Sequence, residues 1–205
     1  MSGRARSARA KRHGVPRRTA APRSGVRFPC ARCGAALTRA PRVAGGRREA
    51  PAIRCANCRY RMFDYPRVCV GMVVVKGGDI LVLTRGHRPK RGFLDLPGGF
   101  LEAGEALLAG ACRELLEETG LRVKAPELLG IYWDRYHLAG FGYFPTMNFY
   151  FVGRWASGLP SPADDAAAAA WRPIGSVGRA GDRLAWRHMR EVLRDLRRRL
   201  GTGGR

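Results

Sequence analysis

Three carboxylates lie within five residues in the stretch GFLEAGEALLAGACRELLEETGL, which runs from Gly99 to Leu121. On a helix Glu114, Glu117 and Glu118 stand at i, i+3 and i+4 and are surface neighbours, where like charges repel by a few tenths of a kcal/mol per pair. A bound cation relieves that repulsion. Oxygen ligands suit a hard divalent ion, Mg²⁺ or Mn²⁺, which keeps waters and meets substrate phosphates. Taken alone, the triplet is also compatible with a solvated acidic face. A second constellation is made of thiols: Cys30-Ala-Arg-Cys33 and Cys55-Ala-Asn-Cys58. Two such C-x2-C pairs can close a tetrahedral four-cysteine zinc site that holds together a segment too small for its own core. Disulfides and a redox pair are the alternatives; the first lacks a secretory signal and the second does not call for two copies.

The flanks of the glutamates suit a turn followed by a helix. Gly98-Gly99 precedes and Gly120 follows, where a C-terminal cap needs positive φ. The pattern predicts a helix over about 104–119, with Glu105 in its first turn, favoured by the helix dipole. Leu107, Leu108, Ala111, Leu115 and Leu116 make its apolar stripe. Arg113 can hold a carboxylate by a two-pronged hydrogen bond. Strands are expected at 68–75 and 80–85, joined by a Lys-Gly-Gly-Asp turn, and around 93–96, 128–138 and 146–155, with a last one starting at Ala170-Trp171. A final helix is expected from a cap at Asp182 through Leu200, with Leu184, Met189, Val192, Leu193, Leu196 and Leu200 inward and an Arg-rich solvated face outward.

The chain has 205 residues and a net charge of +22, carried mainly by arginine and concentrated towards both ends, while the glutamate region is nearly neutral. Codon bias towards Arg, Ala and Gly explains that balance as well as a polyanion partner does. Residues 1–27 form a basic arm with little to bury and are expected to be disordered. Residues 28–64 carry the cysteine pairs, and 65–205 form the main domain. No apolar run approaches the roughly 18–20 residues that cross a bilayer. The cytoplasm is the expected location, and Cys69 and Cys112 read as small core residues.

Gly99, Glu105, Arg113, Glu114, Leu115, Glu117, Glu118, Gly120 and Leu121 fill every defined position of G-x5-E-x7-R-E-U-x-E-E-x-G-U, where U is aliphatic. In this the chain resembles the Nudix hydrolase family. The preceding zinc ribbon and the junction YRMFDYPRVCV resemble its NADH pyrophosphatase branch, although the Ser-Gln-Pro-Trp motif of that branch does not occur. The resemblance implies an α/β fold, an α/β/α sandwich with a mixed sheet, behind the small ribbon. It also implies hydrolysis of a nucleoside diphosphate linked to another group, such as ADP-ribose, a dinucleotide or a modified nucleotide. Glu114, Glu117 and Glu118 would be metal ligands, with the Gly99 carbonyl as a further one and Glu114 or Glu118 as the base; Glu105 and Arg113 would pair to hold the turn. Arg85, Tyr136 and Phe144 are candidate substrate contacts. Weaker candidates are His137, Asp164 and Asp165, the aromatic residues Trp133, Phe141 and Tyr143, and the basic loop of Arg88, Lys90 and Arg91. Alternatives are action on nucleotide-capped RNA 5′ ends, with arm and ribbon holding the RNA, and a nucleic-acid-binding or ligand-sensing regulator. A homodimer is a further expectation of the resemblance.

Overall fold

The computed structural model describes residues 30, 32–35, 37–39, 52–63, 65–138 and 142–201. The basic arm and Phe141 lie outside these.

A small antiparallel sheet comes first: β1 (Leu37–Arg39), β2 (Ala52–Cys55) and β3 (Arg61–Phe63), in that spatial order. Cys30 and Cys33 precede β1, whereas Cys55 ends β2 and Cys58 lies in the turn to β3.

The main sheet is mixed. It contains β4 (Arg67–Lys76), β5 (Asp79–Arg85), β6 (Leu94–Asp95), β7 (Gly98–Phe100), β8 (Arg122–Leu138), β9 (Gly142–Ser157) and β10 (Ala166–Pro173). Its principal order is β10-β5-β4-β9-β8, with β6 added to β5 and β7 to β4. Only the β4–β9 pairing is parallel; the others are antiparallel. Val-rich β4 alternates between two cores, which is why it reads as a continuous apolar run. Val70, Met72 and Val74 meet α1 (Leu107–Thr119) through Ala111 and Leu115. Val73 meets α2 (Met189–Arg199) through Met189, Val192, Leu193 and Leu196. A helix on each face makes the α/β/α sandwich. Among the described residues no helix is long and apolar enough to cross a membrane.

Several expectations shift in detail. α1 starts at Leu107 behind Ala106, so Glu105 lies in the preceding turn rather than in the helix. Leu108 and Leu116 are exposed, because the buried face of α1 runs through Gly110, Ala111, Leu115, Glu118 and Thr119. Gly120 does cap the helix, at φ 68° with its N–H on the Leu116 carbonyl. The last helix begins at Met189; Asp182 instead accepts hydrogen bonds from Arg172 and the Gly178 N–H, and Leu200 is exposed. The poly-Ala run is strand, since β10 pairs along β5 from Ala166. Side-chain volume rather than propensity decides there: small residues fit an edge strand whose partner already packs on both faces.

Leu196 is fully buried and Leu200 is not. Leu196→Ala is therefore expected to cost about 2–5 kcal/mol in urea unfolding. Leu200→Ala should stay within about 0.5 kcal/mol, and equal shifts for the two would contradict the placement of α2.

Candidate active site

The turn before α1 is built from two close approaches. β7 runs so near β4 that a Cβ on Gly98 (φ 154°) would lie 2.7 Å from the Gly71 Cα, and one on Gly99 would lie 2.5 Å from the Glu114 carboxylate. Arg113 then fastens the turn to the helix. Its Nε and Nη2 donate to the two oxygens of Glu105 at 2.9 Å each, and Nη1 donates to Glu114 and Glu117 at 3.0 Å each. The fork holds the Glu105 carboxyl below its ordinary pKa.

The three glutamates of α1 end in three environments. Glu117 is half exposed and leans on Arg113. Glu114 is half-buried under Gly99, and its burial raises its pKa against the pull of Arg113. Glu118 is buried, and one of its oxygens accepts the Gly98 N–H at 2.9 Å. Burial, reinforced by Asp95, Glu114 and Asp165, pushes the Glu118 carboxyl up to about 8 against that hydrogen bond. Three carboxylates that share one guanidinium, with Glu118 lacking a cationic partner among the described residues, are an oxygen donor set that a hard dication fits. They are not drawn into one tight cluster: among the described residues only the cysteines bring three or more ligand atoms within 4.8 Å.

Gly98 and Gly99 also wall a cavity of about 120 Å³ on the α2 side of the sheet. Two buried carboxylates frame it. Asp95 accepts Arg85 at 2.9 Å, the Trp186 indole at 2.8 Å and the Leu96 N–H at 2.9 Å. Asp134 accepts the His188 N–H at 3.0 Å, bonds its Nδ1 at 2.8 Å, and accepts the Arg135 N–H at 2.8 Å. Burial would raise the Asp134 carboxyl, but the His188 bonds outweigh it and hold it below its ordinary value. His188 Nε2 lies 3.2 Å from the Tyr150 hydroxyl.

Of the sequence candidates, Tyr136 lines the cavity and stacks on Trp186 with centroids 5.3 Å apart. Phe144 packs at the rim on Tyr136 and Phe100, beneath the Arg67 guanidinium. Arg85 lines the cavity; its Nη1 pairs with Asp95 and its Nε donates to the Pro89 carbonyl, while Nη2 lies 3.8 Å from the Asp165 carboxylate. Asp165 reaches the cavity; Asp164 is an exposed turn residue with φ 52°. His137 lies outside it, against Tyr143, and Trp133 is exposed. Arg88, Lys90 and Arg91 are also exposed and do not line it. Cys69, expected in the core, faces the cavity, and Cys112 is half-buried. Sequence reasoning missed Asp95, Asp134, Asn148, Tyr150, Trp186 and His188. The available signal was alternation, since Asp134 lies two residues from Tyr132 and Tyr136, and Asn148 two from Thr146 and Tyr150.

The four ribbon cysteines carry free thiols whose sulfurs all lie within 4.8 Å of one another. Cys30 and Cys58 are 3.6 Å apart and Cys33 and Cys55 3.5 Å, close to the ~3.8 Å edge of a tetrahedron with metal–sulfur bonds near 2.3 Å. Both knuckles close alike. The N–H of Gly34 bonds the Cys30 carbonyl and that of Arg59 the Cys55 carbonyl, each residue in the left-handed region.

The NUDIX domain family matches residues 65–196. An ADP-ribose pyrophosphatase of Methanocaldococcus jannaschii is 42% identical over 74 residues, 36% of this chain and 44% of that protein. The NAD-capped RNA hydrolase NudC of Klebsiella pneumoniae is 34% identical over 73 residues, 36% of this chain and 28% of that protein. The chain thus aligns with less than half the length of these curated relatives. A NUDIX hydrolase structure from Nitrosomonas europaea superposes with a TM-score of 0.60 at 25% identity, covering 84% of this chain and 92% of that one. A family match across the whole main sheet and both helices, around the turn that Arg113 fastens, makes this chain a member of the NUDIX family.

Proposed function

We propose that the chain is a divalent-metal-dependent hydrolase that cleaves a nucleoside diphosphate linked to a second group, with ADP-ribose, a dinucleotide or a modified nucleotide as its substrate. The observation that carries this reading is the abutment of Glu114 and Glu118 on Gly98-Gly99, the turn that also walls the cavity. Similarity to an ADP-ribose pyrophosphatase supports the substrate class. Glu114 and Glu118, which abut the turn, would hold the metal, with the Gly99 carbonyl and Glu117, now paired with Arg113, as further ligands. A bound Mg²⁺ or Mn²⁺ would neutralise phosphate charge and make a water acidic enough to attack at neutral pH. Whichever of Glu114 and Glu118 is the less engaged ligand would be free to accept the water's proton. Arg113 and Glu105 touch no substrate; they set the angle at which the turn meets the helix.

The four thiols hold a structural Zn²⁺, a role consistent with their spacing and with the reducing cytoplasm, where the chain is expected to reside. The Ala35 N–H first, and the Asn57 amide next, pull the Cys33 thiol down to about 6, which favours the thiolate a metal needs.

Three outcomes follow from this reading. Full-length protein assayed with Mg²⁺ or Mn²⁺ against ADP-ribose, NADH, dinucleoside polyphosphates, nucleoside triphosphates and NAD-capped RNA should turn over at least one substrate, and chelation with EDTA should abolish the activity. Inertness towards the whole set would favour a binding role. Glu118→Gln should cut turnover by about 10²–10⁴ without unfolding the chain, as circular dichroism reports, while Arg113→Lys, which loses the fork, should lower it by about 10–100-fold. Elemental analysis should find one zinc per chain, lost in Cys55→Ser; a full zinc complement in that variant would refute the four-thiol site.

A further inference from the structure

Most polar groups on the cavity wall are already committed. Both oxygens of Asp95 and both of Asp134 accept hydrogen bonds from the protein. Asn148 differs. It is 6% exposed, and its Nδ2 donates to the Tyr132 carbonyl at 3.0 Å and to Thr146 Oγ1 at 3.1 Å. A carbonyl can only accept, so the amide has one possible orientation and both of its hydrogens are used. The remaining atom, Oδ1, has no partner among the described residues. No fully sealed side-chain oxygen or nitrogen among them lacks one, so Oδ1 opens on the cavity that Asn148 lines.

The surroundings suit a single ring. Tyr136 stacked on Trp186 gives one flat wall, and half-buried Cys69, the register partner of Asn148, gives another. At about 120 Å³ and partly open to solvent, the cavity has room for one end of a substrate. The cavity opens beside Gly98 and Gly99, where the diphosphate would lie.

We propose that Asn148 Oδ1 is a specificity-determining acceptor that selects substrates whose terminal ring donates a hydrogen bond into this cavity. The donor is the exocyclic amino group of a nucleobase or a hydroxyl of the terminal sugar. A buried acceptor left unmatched makes the site reject the analogue that lacks the donor. The inference rests on the hydrolase reading for its substrate and on the locked amide for its polarity.

The test compares kcat/KM of the full-length chain for ADP-ribose, for its hypoxanthine analogue and for its terminal 2-deoxyribose analogue. The wild type should disfavour one analogue by at least about ten-fold, and which one it disfavours tells base from sugar. Asn148→Leu should bring that preference to within about two-fold while leaving the other pair unchanged. Because the variant also loses the bonds to Tyr132 and Thr146, the wild-type comparison stands independently of its folding. If another substrate of the panel is hydrolysed in place of ADP-ribose, the same pair of analogues is made of that substrate; if none is hydrolysed, the functional reading fails separately. The acceptor is then tested by calorimetry with AMP against IMP and with ribose 5-phosphate against 2-deoxyribose 5-phosphate. Equal treatment of both analogues by the wild type, or an undiminished preference in a folded Asn148→Leu, overturns the proposal.

Discussion

The Arg113 guanidinium donates to Glu105, Glu114 and Glu117 and, at 3.4 Å, to the Phe100 carbonyl. One planar cation thereby joins β7, the turn after it and two turns of α1. A lysine could not replace it, because an ammonium lacks the fork that takes both oxygens of one carboxylate and still reaches two more. The Gly98-Gly99 turn owes its tightness to this fastening and to the missing side chains, and both the position of Glu118 and the cavity wall depend on that turn.

The site divides unevenly between contiguous and distant residues. The glutamates, their arginine and their glycines come from one short segment, so their relation is fixed by helix and turn geometry. The cavity is assembled from β4, β5, β6, β7, β8, β9 and the approach to α2, with Asp134 and His188 paired across the sheet–helix boundary. Buried carboxylates are tolerable there because each is matched by donors from another element. This matching rigidifies the pocket and leaves little freedom for side chains to adapt to a poor ligand.

That division also sets what the sequence reveals. Local spacing is enough to place α1, its Gly120 cap and the paired knuckles, since each depends on neighbours a few residues away. The same logic misplaced Leu108, Leu116 and Leu200, whose burial depends on where the sheet lies and not on helical periodicity. It passed over His188, whose partner is 54 residues earlier in the chain. Arg85, a candidate substrate contact from the sequence, does reach the cavity, but its pairing with Asp95 exists only once β5 and β6 pair and could not be read from the basic loop that follows it. Asn148 was hidden by its position inside an apolar-looking strand; its meaning lies in what its amide faces, which no pattern along the chain encodes.

The parallel pairing of β4 with β9 has a consequence for the order of events during synthesis. β4 leaves the ribosome long before its parallel partner β9, and because a domain folds as a unit the cavity can form only once Trp186 and His188 have followed. A nascent or prematurely terminated chain would hold the hydrolytic signature intact while lacking the indole and imidazole that close the cavity. The cavity is therefore the last part of this molecule to be completed, and a stop codon shortly before Trp186 would remove with it Met189, Val192, Leu193 and Leu196, the side chains that seal the core on that face.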